Sequence, residues 1–100
     1  MNAIQLQLND QGHGTFFIED QGERIARMEI AIANKALTVF HTEVNEKLEG
    51  QGIAGKLLEH MVNYAREKKL KVIPLCPYVS AQFRRHPDTY ADVWKTDWHG

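Results

Sequence analysis

The chain has 100 residues, 43% of them hydrophobic and 25% charged, which provides one globular core and leaves too little for a second. A formal net charge of -1 removes the basic excess that would make nucleic acid the default partner. No stretch reaches the roughly 18 apolar residues of a membrane span, "MNAIQLQLND" lacks a basic leader, and Cys76 has no cysteine to pair with; the expectation is one cytoplasmic domain over residues 1–100, a monomer or weak homodimer with no membrane partner.

Strands come first. "AIQLQL" alternates Ile4, Leu6 and Leu8 with glutamines, the period of a half-buried strand, and "NDQGHG" follows as a turn. "TFFIED" is a second strand and "QGE" a second turn. "RIARMEIAI" sets Ala26, Met28, Ile30 and Ile32 on one face, "NK" turns again, and "ALTVFHTEV" is rich in β-branched and aromatic residues. Four strands in succession predict an antiparallel meander. The period then changes: Ile53, Leu57, Leu58, Met61, Val62 and Ala65 form one helical stripe, with Lys56, Glu59, Asn63, Arg66 and Glu67 facing away. Basic residues at the end of this helix complement its dipole or form a binding patch. "KVIPLCPYV" reads as a fifth strand, parallel to the fourth because the helix provides the crossover. "SAQFRRH" starts a short helix with Ser80 as N-cap, Pro87 ends it, and "DTYADVWKTDWHG" is a weak helical turn and a tail. The fold class is therefore α+β, a mixed sheet with a central helix and short C-terminal helices.

Between the fourth strand and the long helix lies "VNEKLEGQGIAGKLLEHM", with Gly50, Gly52 and Gly55 just before the apolar stripe. A glycine-rich turn at a helix N-terminus exposes backbone N–H groups that the helix cannot satisfy, at the positive end of its dipole, and so suits an anion such as phosphate. The competing reading is a tight turn with close helix–sheet packing. The letters fit G-x-G-x-x-G, but four antiparallel strands before it are not a dinucleotide-binding setting, and the GK[ST] of a P-loop is absent.

The run from Val44 to Leu58 resembles the acetyl-CoA-binding segment of the GNAT N-acetyltransferase superfamily, [RQ]-x-x-G-x-[GA] at the start of the central helix, with Gly52 and Ala54 matching and Glu49 where Arg or Gln is usual. "HTEV", "IPLCPYV" and "HPDTYADVW" extend the likeness to a short, single-domain branch, over about residues 25 to 94. The resemblance implies that acetyl-CoA binds with its pyrophosphate on the amides of Gln51 to Lys56, with Val44, Gly50, Gly52, Ile53, Ala54, Gly55, Tyr78 and His86 as further cofactor-binding positions. It also implies that strands four and five splay to admit the pantetheine arm, which Pro74 and Pro77 favour by withholding backbone donors, unless they only stiffen an edge.

Acetyl transfer to an amine needs a base for the attacking nitrogen and an acid for the departing thiolate. His41 and Glu43 share one strand face near the implied thioester; either is a base, or they are a core histidine and a rim glutamate. No third ligand accompanies them, so no metal is expected. Cys76 is an acetyl-accepting nucleophile, a proton donor, or a buried apolar residue, and is read as lying across the splay from His41. "SAQFRRH" lacks the tyrosine acid common in the superfamily, so Tyr78 or Cys76 would substitute; His86 contacts the cofactor or caps its helix. "NDQGHG" is too short for the helices that enclose the acceptor in larger relatives, leaving that side open to an amine on a protein or peptide. Two functions compete, an N-acetyltransferase and a non-catalytic acyl-CoA sensor or carrier.

Overall fold

A computed structural model describes residues 3–96. Strands β1 (Gln5–Leu8), β2 (His13–Asp20), β3 (Glu23–Ala33) and β4 (Ala36–Val44) pair antiparallel in chain order, and β5 (Lys71–Pro74) adds in parallel beside β4 after the helix α1 (Ile53–Lys68). Two helices follow, α2 (Pro77–Arg85) and α3 (Pro87–Tyr90). The β2–β3 and β3–β4 links are two-residue hairpins whose central residues all have positive φ: Gln21 (52°), Gly22 (81°), Asn34 (52°) and Lys35 (63°). Turns of that hand match the natural twist of the strands they join.

The predicted stripe is the one that packs: Ile53, Leu57, Leu58, Met61, Val62 and Ala65 are all buried against Phe16, Ile18, Met28, Ile30, Leu37 and Val39 of the sheet. Lys69 ends α1 in the left-handed conformation (φ 59°), and Leu70 N–H closes onto the Ala65 carbonyl at 2.8 Å. Of the basic residues at this end, Arg66 is held by Asp92 (Nε to Oδ2, 2.7 Å) and Lys71 donates to the Asp92 carbonyl, so these two tie the C-terminal segment to α1 and β5.

The fifth strand is shorter than "KVIPLCPYV" predicts. It stops at Pro74, and Pro77 opens α2, with Cys76 at the N-cap and the first helical bond from Ser80 N–H to the Cys76 carbonyl at 2.9 Å. Ser80 is therefore inside the helix and is not its cap. The physical reason lies in Pro77: proline fits the first helical position, where its missing N–H costs nothing and its φ is already helical. Nor is the segment after α3 a bare tail: Val72 bridges Trp94 in parallel, and Val72 N–H donates to the Val93 carbonyl at 2.6 Å, covering the outer edge of β5. Residues 97–100, the end of the predicted tail, lie outside the described residues.

Register fixes what each face of the sheet carries. Phe16, Met28 and Thr42 stand in one row toward α1, while Thr15, Glu29 and His41, and Phe17, Arg27 and Glu43, stand in rows on the opposite face. A bulge interrupts β4: Ile30 pairs with Val39 and Glu29 with His41, which leaves Phe40 without a partner across the ladder.

Candidate active site

The chain approaches α1 through a short 3₁₀ turn (Glu46–Leu48) and then Gly50 and Gly52, with φ of 86° and 75°. A Cβ at either glycine would meet nothing within 4 Å, so backbone conformation and not crowding demands glycine there. The first intrahelical bond is Lys56 N–H to the Gly52 carbonyl at 3.1 Å, and no side chain caps the helix. The N–H groups of Ile53, Ala54 and Gly55 consequently point out of the helix end without a protein acceptor. No acidic residue occupies the first turn, so the positive end of the dipole is uncompensated within it.

These amides open onto a groove of about 460 Å³ walled by Thr42 and Val44 of β4, Leu48, Glu49, the two glycines, the first turn of α1, and Tyr78. Gly55 and Tyr78 also line a second recess of about 470 Å³ between α1 and α2, with Arg66, Gln82 and His86 on its walls. The two cavities thus share a wall, where a Cβ on Gly55 would sit 3.8 Å from the Tyr78 hydroxyl. Burial, then the nearby Tyr90 and Cys76 groups, push the Tyr78 phenol above its ordinary value of 10.0, so it stays protonated.

The β4–β5 ladder ends at Val39 and Pro74, while β4 runs on to Val44. Asn45 N–H donates to the Ile25 carbonyl at 2.8 Å. By antiparallel alternation the backbone groups of Glu43 and His41 also face β3, and those of Thr42 and Val44 face the gap that β5 leaves. At the closed end of the gap, Cys76 N–H donates to the Val39 carbonyl at 2.8 Å. The gap is therefore edged by backbone groups on one side and roofed by the first turn of α2.

On the opposite face, His41 Nε2 lies 2.7 Å from Glu43 Oε1, and Arg27 reaches Glu43 Oε2 through Nη2 at 3.0 Å and Nε at 3.1 Å. Arg27 also lies 3.9 Å from Glu29, which accepts from Thr15 Oγ1 at 3.2 Å. The hydrogen bond from His41, and the charges of Arg27 and His41, hold the exposed Glu43 carboxyl below its ordinary 4.5 against a smaller desolvation effect. An ionised carboxylate only accepts, so His41 Nε2 carries the hydrogen of this bond, and in the neutral imidazole Nδ1 is the nitrogen with the lone pair. Glu43 also lines a trough of about 790 Å³ with Arg24, Arg27, Glu46 and Lys47, which shares Thr42, Val44 and Glu49 with the groove.

Residues 15–93 match the family described as GCN5-related N-acetyl-transferase. The chain belongs to that family. No curated protein matches it, but solved structures do. A solution structure of a GCN5-like protein from Staphylococcus aureus is 29% identical with a TM-score of 0.68, over 94% of this chain and 90% of that one. A ribosomal-protein-alanine N-acetyltransferase from Brucella melitensis shares the fold at 19% identity and a TM-score of 0.63, over 91% and 68% of the two chains. An IAA acetyltransferase from Bacillus cereus does so at 22% and 0.58, over 79% and 55%. Membership makes this chain an enzyme of the N-acetyltransferase type.

The fold of this acetyltransferase brings Val44, Gly50, Gly52, Ile53, Ala54, Gly55 and Tyr78 together around the groove, and His86 into the adjoining recess. Gln51 and Lys56 are exposed and do not line it. His41 and Cys76 are not brought together as the sequence suggests. Cys76 is 2% exposed, and its sulfur meets Thr42 Oγ1 at 3.3 Å on the α1 side, whereas His41 faces the other way because neighbouring strand residues alternate. The helix after β5 also contains a tyrosine after all, since α2 begins early enough to include Tyr78 in its first turn. Sequence reasoning missed Thr42 and Arg27. Alternation could have found Thr42, flanked as it is by His41 and Glu43; Arg27 becomes visible only once the β3–β4 register is known.

Proposed function

We propose that this acetyltransferase takes acetyl-CoA as donor along the groove between β4 and α1 and passes the acetyl group directly to an amine arriving at the opposite face of the sheet. The observation that carries the reading is the uncapped start of α1, whose free amides continue into the open backbone edge of β4. Ile53, Ala54 and Gly55 N–H groups suit the pyrophosphate, and the Thr42 and Val44 backbone groups suit the amides of a pantetheine arm. Glu49 is the one unfavourable charge on the wall, and it leaves the backbone donors in place. When bound, acetyl-CoA supplies an acetyl group activated as a thioester.

The chain's own groups divide the proton work between the two faces. Arg27 occupies one oxygen of Glu43 and His41 the other, so the carboxylate orients the imidazole, and His41 Nδ1 is the base that accepts the amine proton. Tyr78, kept protonated on the groove side, donates its hydroxyl proton to the departing sulfur. Cys76 has no part in the transfer; it is buried and holds the start of α2 against β4 through Thr42 and the Val39 carbonyl. The acceptor is an amine on a protein or peptide, because the His41 face has no enclosing helices. Titrating isotopically labelled protein with CoA tests the donor site: the amides of Ile53, Ala54, Gly55, Thr42 and Val44 should shift together. Shifts confined elsewhere would overturn the assignment.

A further inference from the structure

The bulge in β4 has a second effect, on the face that carries His41. Phe40, expelled from the ladder, stands 44% exposed and forms one wall of a depression of about 340 Å³ whose remaining walls include Ile30, Thr15, Glu29, Gln7 and His13. The depression is apolar on the side of Phe40, Ile30 giving it backbone because its side chain is buried toward α1, and polar on the side of Thr15 and Glu29. It adjoins the base directly, because Glu29 is the register partner of His41. Leu75, also 44% exposed, follows Pro74 where β5 leaves β4, so two of the three exposed large apolar side chains among the described residues directly follow the last paired residues, at the closed end of the gap.

We propose that Phe40 and this depression select the acceptor, and that the acceptor is a lysine-type amine on a polypeptide with an apolar residue two positions from it. The proposal rests on the catalytic reading above, since it takes His41 as the place where the amine arrives. Three physical points lead to it. The cluster of Glu29, Arg27 and Glu43 sets two carboxylates against one guanidinium, which complements an arriving ammonium. Of the other cations on the adjoining trough, Arg24 is drawn off toward β1, over the Phe17 ring at 3.9 Å and onto Gln7 at 2.6 Å, and Lys47 shares the trough with Glu46 and Glu49. Neighbouring strands lie about 4.8 Å apart, and side chains two residues apart on an extended chain share a face about 6.6 Å apart, so such a pair on a peptide reaches both the depression and His41. A small free amine would touch only one of them and be enclosed by neither.

The test uses the full chain saturated with CoA and two probes, acetyl-Leu-Gly-Lys-Gly-Leu-amide and its counterpart with serine in place of leucine. The leucine peptide should bind roughly tenfold more tightly, the order of factor that burying one leucine supplies, and it should shift the amides of Thr15, Glu29, Phe40 and His41. Phe40→Ser should erase the preference and Phe40→Leu should keep it, with CoA affinity unchanged in both as proof of folding. Equal binding of the two peptides, shifts on another face, or a preference that survives Phe40→Ser overturns the proposal. Binding needs no turnover, so the two claims separate: selective binding without acetylation of the lysine would uphold the selecting surface and sink the catalytic reading.

Discussion

Gly55→Ala should make the protein more stable and a poorer CoA binder. Gly55 is the third residue of α1 and lies outside the positive-φ set, so alanine is compatible with its backbone. Replacing glycine within a helix gains about 0.5–1 kcal/mol, which in a chain of this size raises Tm by about 2–8 °C. The new methyl meets only the Tyr78 hydroxyl, at 3.8 Å, an ordinary contact that costs the free protein nothing. The same methyl stands on the wall of the groove beside the Gly55 N–H. A phosphate seated on that N–H then meets it, and affinity should fall by about tenfold or more, equivalent to about 1.4 kcal/mol. Thermal melts and calorimetry on the same sample read both quantities. A raised Tm with unchanged affinity would show that CoA does not seat against Gly55, and a lowered Tm would mean that the first turn of α1 is misdescribed.

Tyr78→Phe should lower the transfer rate by about 10²–10⁴, the usual share of a positioned acid, while CoA affinity holds; an unchanged rate would remove Tyr78 from the chemistry. Leu57→Ala should cost about 2–5 kcal/mol in denaturant melts because Leu57 is fully buried, and Asn63→Ala on the exposed face should cost little. Cys76 should resist iodoacetamide in the native protein and react on unfolding, and fast native labelling would contradict its burial. The Glu43 carboxyl should titrate below 4.5, as its principal partner His41 favours the ionised form. A depressed carboxyl contributes stability above its unfolded pKa and loses it as pH falls through the folded one, so this contact should survive neutral pH and break only under acid. Carbon-detected titration reads the midpoint, which should rise toward 4.5 in His41→Ala.

The long helix and the hairpins were legible because each rests on local signals. The α1 stripe repeats at 3.6 residues over more than three turns, and "QG" and "NK" fall where alternation breaks. "KVIPLCPYV" was not legible, since a short apolar run has no period to separate a strand from a buried helix start, and Pro77 serves as a breaker in one and as the first residue in the other. The glycines announced the donor groove, as left-handed backbone before a helix is a property of the residues themselves. The opposite face stayed hidden because its geometry depends on partners. The bulge at Phe40, the grip of Arg27 on Glu43, and the separation of His41 from Cys76 all follow from β-sheet register and not from residue type.

The most direct test of the central claim is mass spectrometry of the full chain incubated with acetyl-CoA, with and without the leucine-flanked lysine peptide, resolving peptide, protein and cofactor together. Direct transfer predicts acetylated peptide, CoA released in equal amount, and an unmodified protein in both samples. Acetyl-CoA that binds and is recovered intact, with no acetylated peptide, would make the chain a carrier or sensor. An acetyl group on Cys76 would contradict direct transfer and return the buried thiol to the mechanism.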